Sequence, residues 1–356
     1  MKKILLIDGI YPINTRNRRI IESLKKENEV KFCAWNRENI EINGKENFIY
    51  SSNEGYGNKI KKLFGMKNYL RFIKQTIKKY NPEIVIASQW DILLLTIFSN
   101  FKGKIIYENL DLPTSSNKLI LKILLLIEKL MLKKINGIIY ASRFFIPLYK
   151  KYNIKNLLLE NYPLKEINEK KFEIIERKKI KISFIGGLRY FDTMKNLLLA
   201  IQKNKNIEVY LIGKGPENNK FKDFIKKNNL KNIFIIDSYK YEDIKKLYIN
   251  TDLVWAVYPN KDYNVKYAIS NKFFESILFE KPCFFAKNTL LGDFVEKEKI
   301  GIVVDPYNVN EIRNKINELD KNIILKLQNN IKEYKKNKKL YWEDNEKELL
   351  DFINII

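Results

Sequence analysis

Short apolar runs alternate along the chain with longer stretches in which apolar residues recur every three or four positions. Lys3–Ile7 is a β-branched and leucine-rich run that predicts a strand, and Arg18–Lys26 follows with helical spacing. Glu29–Trp35 predicts the next strand. Lys59–Lys79 sets Ile60, Leu63, Leu70, Ile73 and Ile77 among lysines as one helical face, and Asn81-Pro82 ends it, because the residue before proline disfavours the helical region. Strands at Glu83–Ala87, Lys104–Tyr107, Gly137–Tyr140 and Leu157–Leu159 then alternate with helices at Ile92–Phe98, Leu119–Lys133 and Phe145–Tyr152. The rhythm breaks at Lys165–Lys181, a charged stretch with few strand or turn signals that reads as an interdomain linker or an edge segment beside it. It restarts with strands at Ile182–Ile185, Val209–Ile212, Ile233–Ile236, Leu253–Tyr258, Pro282–Ala286 and Ile302–Val304. Between and after them come helices at Thr193–Gln202, Lys220–Lys227, Tyr241–Ile249, Lys272–Leu278, Val309–Leu319 and Ile323–Tyr334, and a last one from about Trp342 to Asn354.

Strands alternating with helices imply right-handed βαβ units and parallel sheets covered on both faces. Two such runs predict an α/β protein of two doubly wound, Rossmann-like domains facing across a cleft. The first takes in residues 1–163 with about 341–356, and the second 164–340. Ligands of such sheets bind at the carboxyl ends of the strands, so the cleft is the expected site.

Composition narrows the chemistry. The 356 residues are 45% apolar, enough for two cores, and contain no histidine, which excludes any imidazole base. Cys33 and Cys283 lie in strand-like runs and read as buried free thiols. No Cys/His metal spacing exists, so no metal site is expected. Lys2-Lys3 is followed by an apolar run that stops at Asp8-Gly9, too short for a signal peptide. Leu119–Leu132, the longest candidate for a membrane span, is interrupted by Lys122, Glu128 and Lys129, so a cytoplasmic, non-spanning protein is expected. The net charge of +24 attracts anions, although its spread as lysine over the whole chain makes part of it compositional background. No nucleic-acid motif accompanies it, and an anionic membrane face suits it better than DNA. Lys59–Lys79 and Lys118–Lys134 are basic and apolar enough to lie on anionic lipid; packed helices with solvated lysines are the alternative.

Three stretches carry candidate chemistry. In Phe184-Ile185-Gly186-Gly187-Leu188-Arg189-Tyr190-Phe191-Asp192-Thr193-Met194-Lys195 a strand enters a Gly-Gly turn and then a helix. Glycines let a phosphate approach the backbone, the helix N-terminus favours negative charge, and Arg189 and Lys195 can neutralise a diphosphate. A plain βα turn with two solvated charges is the alternative. Leu211-Ile212-Gly213-Lys214-Gly215 repeats the strand–glycine pattern. In Tyr267-Ala268-Ile269-Ser270-Asn271-Lys272-Phe273-Phe274-Glu275, Ser270 or Asn271 caps a helix whose amides and Lys272 form an anion site, and Glu275 stands where a carboxylate can accept from ribose hydroxyls. Taken alone, this stretch reads equally as a capped helix with a surface glutamate.

In this order, Gly187, Arg189 and Lys195, then Gly213-Lys214-Gly215, then Asn271-Lys272-Phe273-Phe274-Glu275 before Lys281-Pro282 resemble glycosyltransferases of the GT-B fold. The large retaining family numbered four, in a subgroup common in surface and capsular polysaccharide synthesis, is the nearest pattern. Gly9 and Arg16 fall in what resembles the acceptor-side loop and first helix, Glu160-Asn161-Tyr162-Pro163 resembles the segment before the hinge, and Trp342 heads what resembles a final helix crossing back to the N-terminal domain. The resemblance implies that Arg189 and Lys195 bind the donor diphosphate, that Glu275 holds the ribose, and that Ser270, Asn271 and Lys272 line the phosphates and donor sugar, with Gly187, Gly213 and Lys214 beside them. It implies a nucleotide-sugar donor of UDP or GDP type, a glycan or lipid-linked acceptor, and no cofactor or metal. Two positions depart from the family. Its first glutamate, eight before Glu275, is Tyr267, and its histidine after the strand ending near Tyr107 is replaced by Leu110, which leaves Asp111 as the carboxylate expected to face the cleft. Two rival readings share the fold: a nucleotide-sugar 2-epimerase, against which the missing histidine weighs, and a non-catalytic basic protein on membrane or polyanion, for which Tyr267 speaks.

Overall fold

The structure, a computed structural model, describes residues 1–42, 47–53, 59–168 and 178–356, with the backbone alone for 59–63. The chain divides into two compact units, Met1–Asn161 with Asn345–Ile356, and Tyr162–Asp344. The expected linker, Lys165–Lys181, falls largely on 169–177, outside the described residues. Before it Lys165–Asn168 forms a 3-10 turn, and after it the first strand of the second unit already begins at Ile180.

The first unit contains β1 (Lys3–Asp8), α1 (Thr15–Leu24), β2 (Glu29–Asn36), β3 (Phe48–Ser51), α2 (Lys59–Tyr80), β4 (Ile84–Ser88), α3 (Trp90–Phe98), β5 (Lys104–Asn109), α4 (Lys118–Met131), β6 (Gly137–Tyr140), α5 (Ile146–Tyr149) and β7 (Asn156–Leu158). Its described strands pair in parallel in the order β3-β2-β1-β4-β5-β6-β7. Ile4–Asp8 and the whole of β4 are buried, as strands covered on both faces must be, which explains their continuous apolar runs. Cys33 and Cys283 are free and buried, as expected.

The second unit contains β8 (Ile180–Ile185), α6 (Phe191–Ile201), β9 (Ile207–Ile212), α7 (Asn218–Lys227), β10 (Ile233–Ile236), α8 (Ile244–Ile249), β11 (Leu253–Ala256), α9 (Tyr263–Tyr267), α10 (Asn271–Leu278), β12 (Cys283–Ala286), α11 (Leu290–Glu298), β13 (Gly301–Val304), α12 (Val309–Asn317) and α13 (Lys321–Lys335). Its parallel strands run β10-β9-β8-β11-β12-β13. In both sheets the order reverses beside the first strand, between β1 and β4 and between β8 and β11, and such a reversal opens a crevice at the strands' carboxyl ends. The last helix, α14 (Glu346–Ile355), belongs to the first unit, where it packs on α1 and β7; Lys2 Nζ donates to the Ile353 carbonyl at 2.8 Å. Trp342 opens a 3-10 turn, Trp342–Asn345, ahead of that helix.

Sequence periodicity missed β3, α9 and α11. The first two are only four and five residues long, too short for a period to register. In α11 a glycine sits in the first turn because a Cβ on Gly292 would stand 2.3 Å from the Ala286 carbonyl oxygen, and Gly292-Asp293 reads as a turn although Thr289 caps the helix through the Gly292 amide at 3.0 Å.

The crevice end of the first sheet is filled by its own side chains. Arg16, from the first turn of α1, donates from Nε to Glu108 Oε1 at 2.6 Å and from Nη1 to the Leu159 carbonyl at 2.6 Å and Asn161 Oδ1 at 2.9 Å. Ser88 donates to Glu108 Oε2, and Asn17 donates to both Ser88 Oγ and Asp8 Oδ2. The Ile10 amide donates to Asp8 Oδ1, so the network ties the loop after β1 and the start of α1 to the ends of β4, β5 and β7. Breaking a buried ion pair by removing one partner typically costs about 3–5 kcal/mol, so this network fixes the loop's path.

Burial, opposed by the Asn17 hydrogen bond and reinforced by the charge of Glu108, pushes the Asp8 carboxyl up to about 7 from its ordinary 3.8. The folded state therefore keeps a proton that the unfolded chain releases, and stability falls as pH rises from about 4 to about 7 and is level above that. A shift of this size corresponds to about 4 kcal/mol. Urea unfolding of Asp8→Asn beside the unaltered protein should show the variant gaining about 3–4 kcal/mol of relative stability between acidic and mildly alkaline pH. A difference that does not move with pH means that Asp8 is ionised in the folded state.

Candidate functional site

In the second unit the ends of β8 and β9 are glycine turns because their backbones touch. Gly186 has φ of 144° and Gly213 φ of 130°, where side-chain-bearing residues are rarely found. A Cβ on Gly213 would stand 2.2 Å from the Gly186 carbonyl oxygen, and one on Gly215 2.2 Å from the carbonyl oxygen of Leu188. Gly187 is different: a Cβ there would meet only the Lys214 carbonyl oxygen, at an ordinary 3.5 Å.

Helix α10 starts at this end of the sheet. Ser270 caps it, its hydroxyl accepting from the Lys272 amide at 3.3 Å. The Lys272 side chain turns back to the end of β8. Its ammonium donates to the Tyr258 hydroxyl at 3.0 Å, lies 4.4 Å from the centre of the Phe184 ring, and sits 3.0 Å from where a Cβ on Gly186 would be. Lys272 is 7% exposed, and among the described residues no carboxylate pairs with it. A buried ammonium held by one phenol and an aromatic face is poorly compensated, and it marks a place prepared for an anion.

Tyr258, just past β11, links this lysine to the first glycine turn. Burial alone would push its hydroxyl up, but the Lys272 ammonium, the hydrogen bonds from Lys272 and Ser270, and the Arg189 charge together hold it below the ordinary phenol range. Tyr190 lies edge-on to Tyr258 with ring centres 5.7 Å apart, and the exposed Arg189 guanidinium is 5.0 Å from the Tyr190 ring centre. Tyr190 has φ of 62°, unusual for a bulky residue, and this turn of backbone starts α6. Arg189, Tyr190, Tyr258, Ser270, Lys272 and Gly186 thus form one cluster. Tyr190 and Tyr258 were not singled out from the sequence; their only signal there is position, one after a glycine turn and one at the end of a strand beside β8.

The other expected residues fall around or apart from this cluster. Lys195 pairs with Asp192 at 3.0 Å and lies 5.7 Å from the Phe191 ring centre. Glu275 is buried and its Oε2 accepts from the Tyr248 hydroxyl at 2.6 Å; burial and that carboxylate push the Tyr248 phenol well up. Tyr239, after β10, is near enough to feel the charges of Glu275 and Tyr258. Lys214 and Asn271 are exposed, and Tyr267 ends α9 with its ring 5.3 Å from that of Tyr263. In the first unit Arg16 is buried in its ion pair with Glu108, the Gly9 carbonyl accepts from Arg37, and Asp111 is half-buried two residues past β5. The loop containing Tyr11, Pro12 and Ile13 borders a cavity of about 290 Å³ with Arg18, Phe32 and Asn47. Among the described residues no group of three or more Cys, Asp or Glu side chains is placed to hold a metal ion.

The two kinds of glycine separate by substitution. Gly213→Ala should lower the melting temperature by several degrees, reflecting a loss of at least about 2 kcal/mol, because it combines a backbone clash with a left-handed φ. Gly187→Ala should leave the melting temperature within about one degree. Equal losses would mean that the two turns do not approach as described.

Comparison with known proteins addresses the family and the fold. Residues 165–338 match the family described as Glycosyl transferases group 1. Curated proteins give no match to the sequence. Among solved structures, sucrose-phosphate synthase from Thermosynechococcus elongatus superposes with a TM-score of 0.77 at 13% identity, over 99% of each chain. Anabaena HepE in complex with UDP gives 0.74 at 14% identity, over 99% of this chain and 100% of that one. The MnaA–UDP structure of S. aureus gives 0.63 at 14% identity, over 92% and 91%. Residues 165–338 are therefore similar to the group 1 glycosyl transferases, and the chain is a glycosyltransferase whose two Rossmann-like units have the GT-B fold.

Proposed function

We propose that the second unit binds the diphosphate of a nucleotide sugar at the β8 turn and the start of α10, and that the enzyme passes the sugar to a glycan or lipid-linked acceptor in cell-surface polysaccharide synthesis. The observation that carries this reading is the buried Lys272 ammonium, without a described carboxylate partner, beside the Gly186 turn at the end of β8, where the strand order reverses. HepE, which shares the fold, has been solved with UDP and with UDP-glucose.

In this reading Arg189 and Lys272 approach the diphosphate from two sides, with Ser270 and the amide of Asn271 below it and the backbone of Gly187, Gly213 and Lys214 alongside. Lys195 joins them by exchanging Asp192 for a phosphate oxygen. Glu275 has one oxygen taken by Tyr248 and offers the other to a ribose hydroxyl. Tyr267 lies on the donor side, and Gly9, Arg16 and Asp111 belong to the acceptor side, Arg16 by fixing the loop rather than by touching the acceptor. The acceptor oxygen forms a bond to the anomeric carbon as the bond from that carbon to the phosphate oxygen breaks. The electron pair leaves with the diphosphate, whose charge the cations take up, and the acceptor proton passes to a phosphate oxygen on the same face, giving retention of the type seen in family 4. The reaction uses no histidine.

Nucleotide screening by thermal shift tests the reading. UDP or GDP at about 100 times its Kd should stabilise the native protein by about 2.7 kcal/mol. Lys272→Met should remove most of that shift, and Arg189→Ala or Lys195→Ala should abolish transfer. No shift with any nucleotide favours a non-catalytic binding protein, and an epimer formed from UDP-GlcNAc without acceptor favours the epimerase.

A further inference from the structure

Helix α4 has two apolar faces. On the inner one Glu128 and Met131 are buried, and the Glu128 carboxylate accepts from the hydroxyls of Tyr107 at 2.9 Å and Tyr149 at 2.7 Å. The helix is therefore fastened to the sheet by that side and does not turn its other side inward. On the outer side Leu119, Ile123, Leu126 and Leu130 follow at steps of four, three and four residues, which places them in one stripe along the helix. They are 67%, 48%, 55% and 56% exposed, with Ile120 beside them at 48%. The Asn117 side chain accepts from the amides of Leu119 and Ile120, so the stripe begins on a capped first turn. A contiguous apolar surface on the order of a few hundred Å² is more than a surface helix normally shows water and marks an interaction face.

The charges around the stripe say what covers it. Lys118, Lys122 and Lys129 are exposed and, by helical spacing, form a row along one edge of the stripe, and Lys133 and Lys134 stand exposed just past its C-terminal end. All five are cationic, and the buried Glu128 is the helix's acidic residue. An apolar strip beside a row of lysines matches the boundary between acyl chains and anionic headgroups, where leucines enter the hydrocarbon and lysines stay with phosphate. Among the described residues no helix is long and apolar enough to cross a membrane. We infer that the outer face of α4 docks the first unit onto an anionic phospholipid bilayer, lying in its surface with Leu119, Ile123, Leu126 and Leu130 inserted. This goes beyond the donor site, in the second unit, and is independent of it; it accords with an acceptor held on lipid.

Co-sedimentation with vesicles, without any sugar donor, tests the docking separately from the proposed transfer. The intact protein should bind vesicles of phosphatidylcholine with about one-third phosphatidylglycerol, bind pure phosphatidylcholine at least tenfold more weakly, and lose binding as salt rises. Leu126→Asp with Leu130→Asp should reduce binding to anionic vesicles at least tenfold, and Lys118→Gln with Lys122→Gln and Lys129→Gln should bring it to the level of neutral vesicles. Both variants alter exposed positions and should keep the circular dichroism spectrum and melting temperature of the intact protein, which separates lost docking from lost folding. No binding to anionic vesicles overturns the inference. So does a homodimer in analytical ultracentrifugation that the leucine variant dissociates, since a second copy would then cover the face.

Discussion

The close approach of two turns governs the second unit. The Gly186 carbonyl lies where a side chain on Gly213 would begin, so the ends of β8 and β9 meet backbone to backbone. That contact keeps side chains out of the space where the ends of β8 and β9 meet and leaves peptide groups there. It also leaves the space beside Gly186 that the Lys272 ammonium enters. The cation therefore reaches the sheet end from a helix more than eighty residues later in the chain, steadied by Tyr258 and the Phe184 ring. Bulk at Gly186 would displace the lysine, and bulk at Gly213 would displace the Gly186 backbone.

The two units treat the same topological feature in opposite ways. In the first, the crevice end of the sheet is closed by carboxylates and amides from β1, α1, β4 and β5, with Arg16 paired to Glu108 and the loop after β1 held by Asp8. Its cation and carboxylates are paired and hydrogen-bonded within the network, although Asn17 Oδ1 is buried without a hydrogen-bond partner among the described residues. In the second, the corresponding place has an excess of positive charge: Arg189 and Lys272 both act on Tyr258, and the carboxylate nearest in sequence to Lys272, Glu275, is bonded to Tyr248 instead. A satisfied network specifies structure, whereas an unbalanced buried charge specifies a ligand. The contrast fits the proposal that the second unit takes an anion, while the first unit's charges shape a loop.

The distribution of lysine follows a similar division. Much of the net charge of +24 is spread over solvated faces and says little about function. Two subsets differ because of their neighbours. Lys272 is withdrawn among aromatic rings, and the lysines of α4 border leucines turned away from the core. The same residue type in the same composition is thus proposed as phosphate ligand in one place and as lipid contact in the other, because burial and adjacent apolar surface set how strongly an ammonium is drawn to an anion.

The architecture is legible in the order of the residues. Alternating strand and helix periods, a charged break near residue 170 and a strand–glycine–helix pattern at Gly186 and Gly213 were enough to specify two parallel, doubly wound units, since periodicity and turn chemistry are local properties. The sequence also marked Arg189, Lys272 and Glu275, because glycine turns and helix caps leave local signatures. Tertiary structure decided the partners. Nothing local tells that Lys272 reaches Tyr258, that Lys195 rests on Asp192, that Arg16 is buried against Glu108, or that Tyr190 takes a left-handed backbone beside Tyr258. It also decided which face of α4 is buried, for a helix apolar nearly all round has no preferred side until Tyr107 and Tyr149 take hold of Glu128. Side chains far apart in sequence acquire their chemistry from distance and desolvation, which exist only once the sheets are assembled.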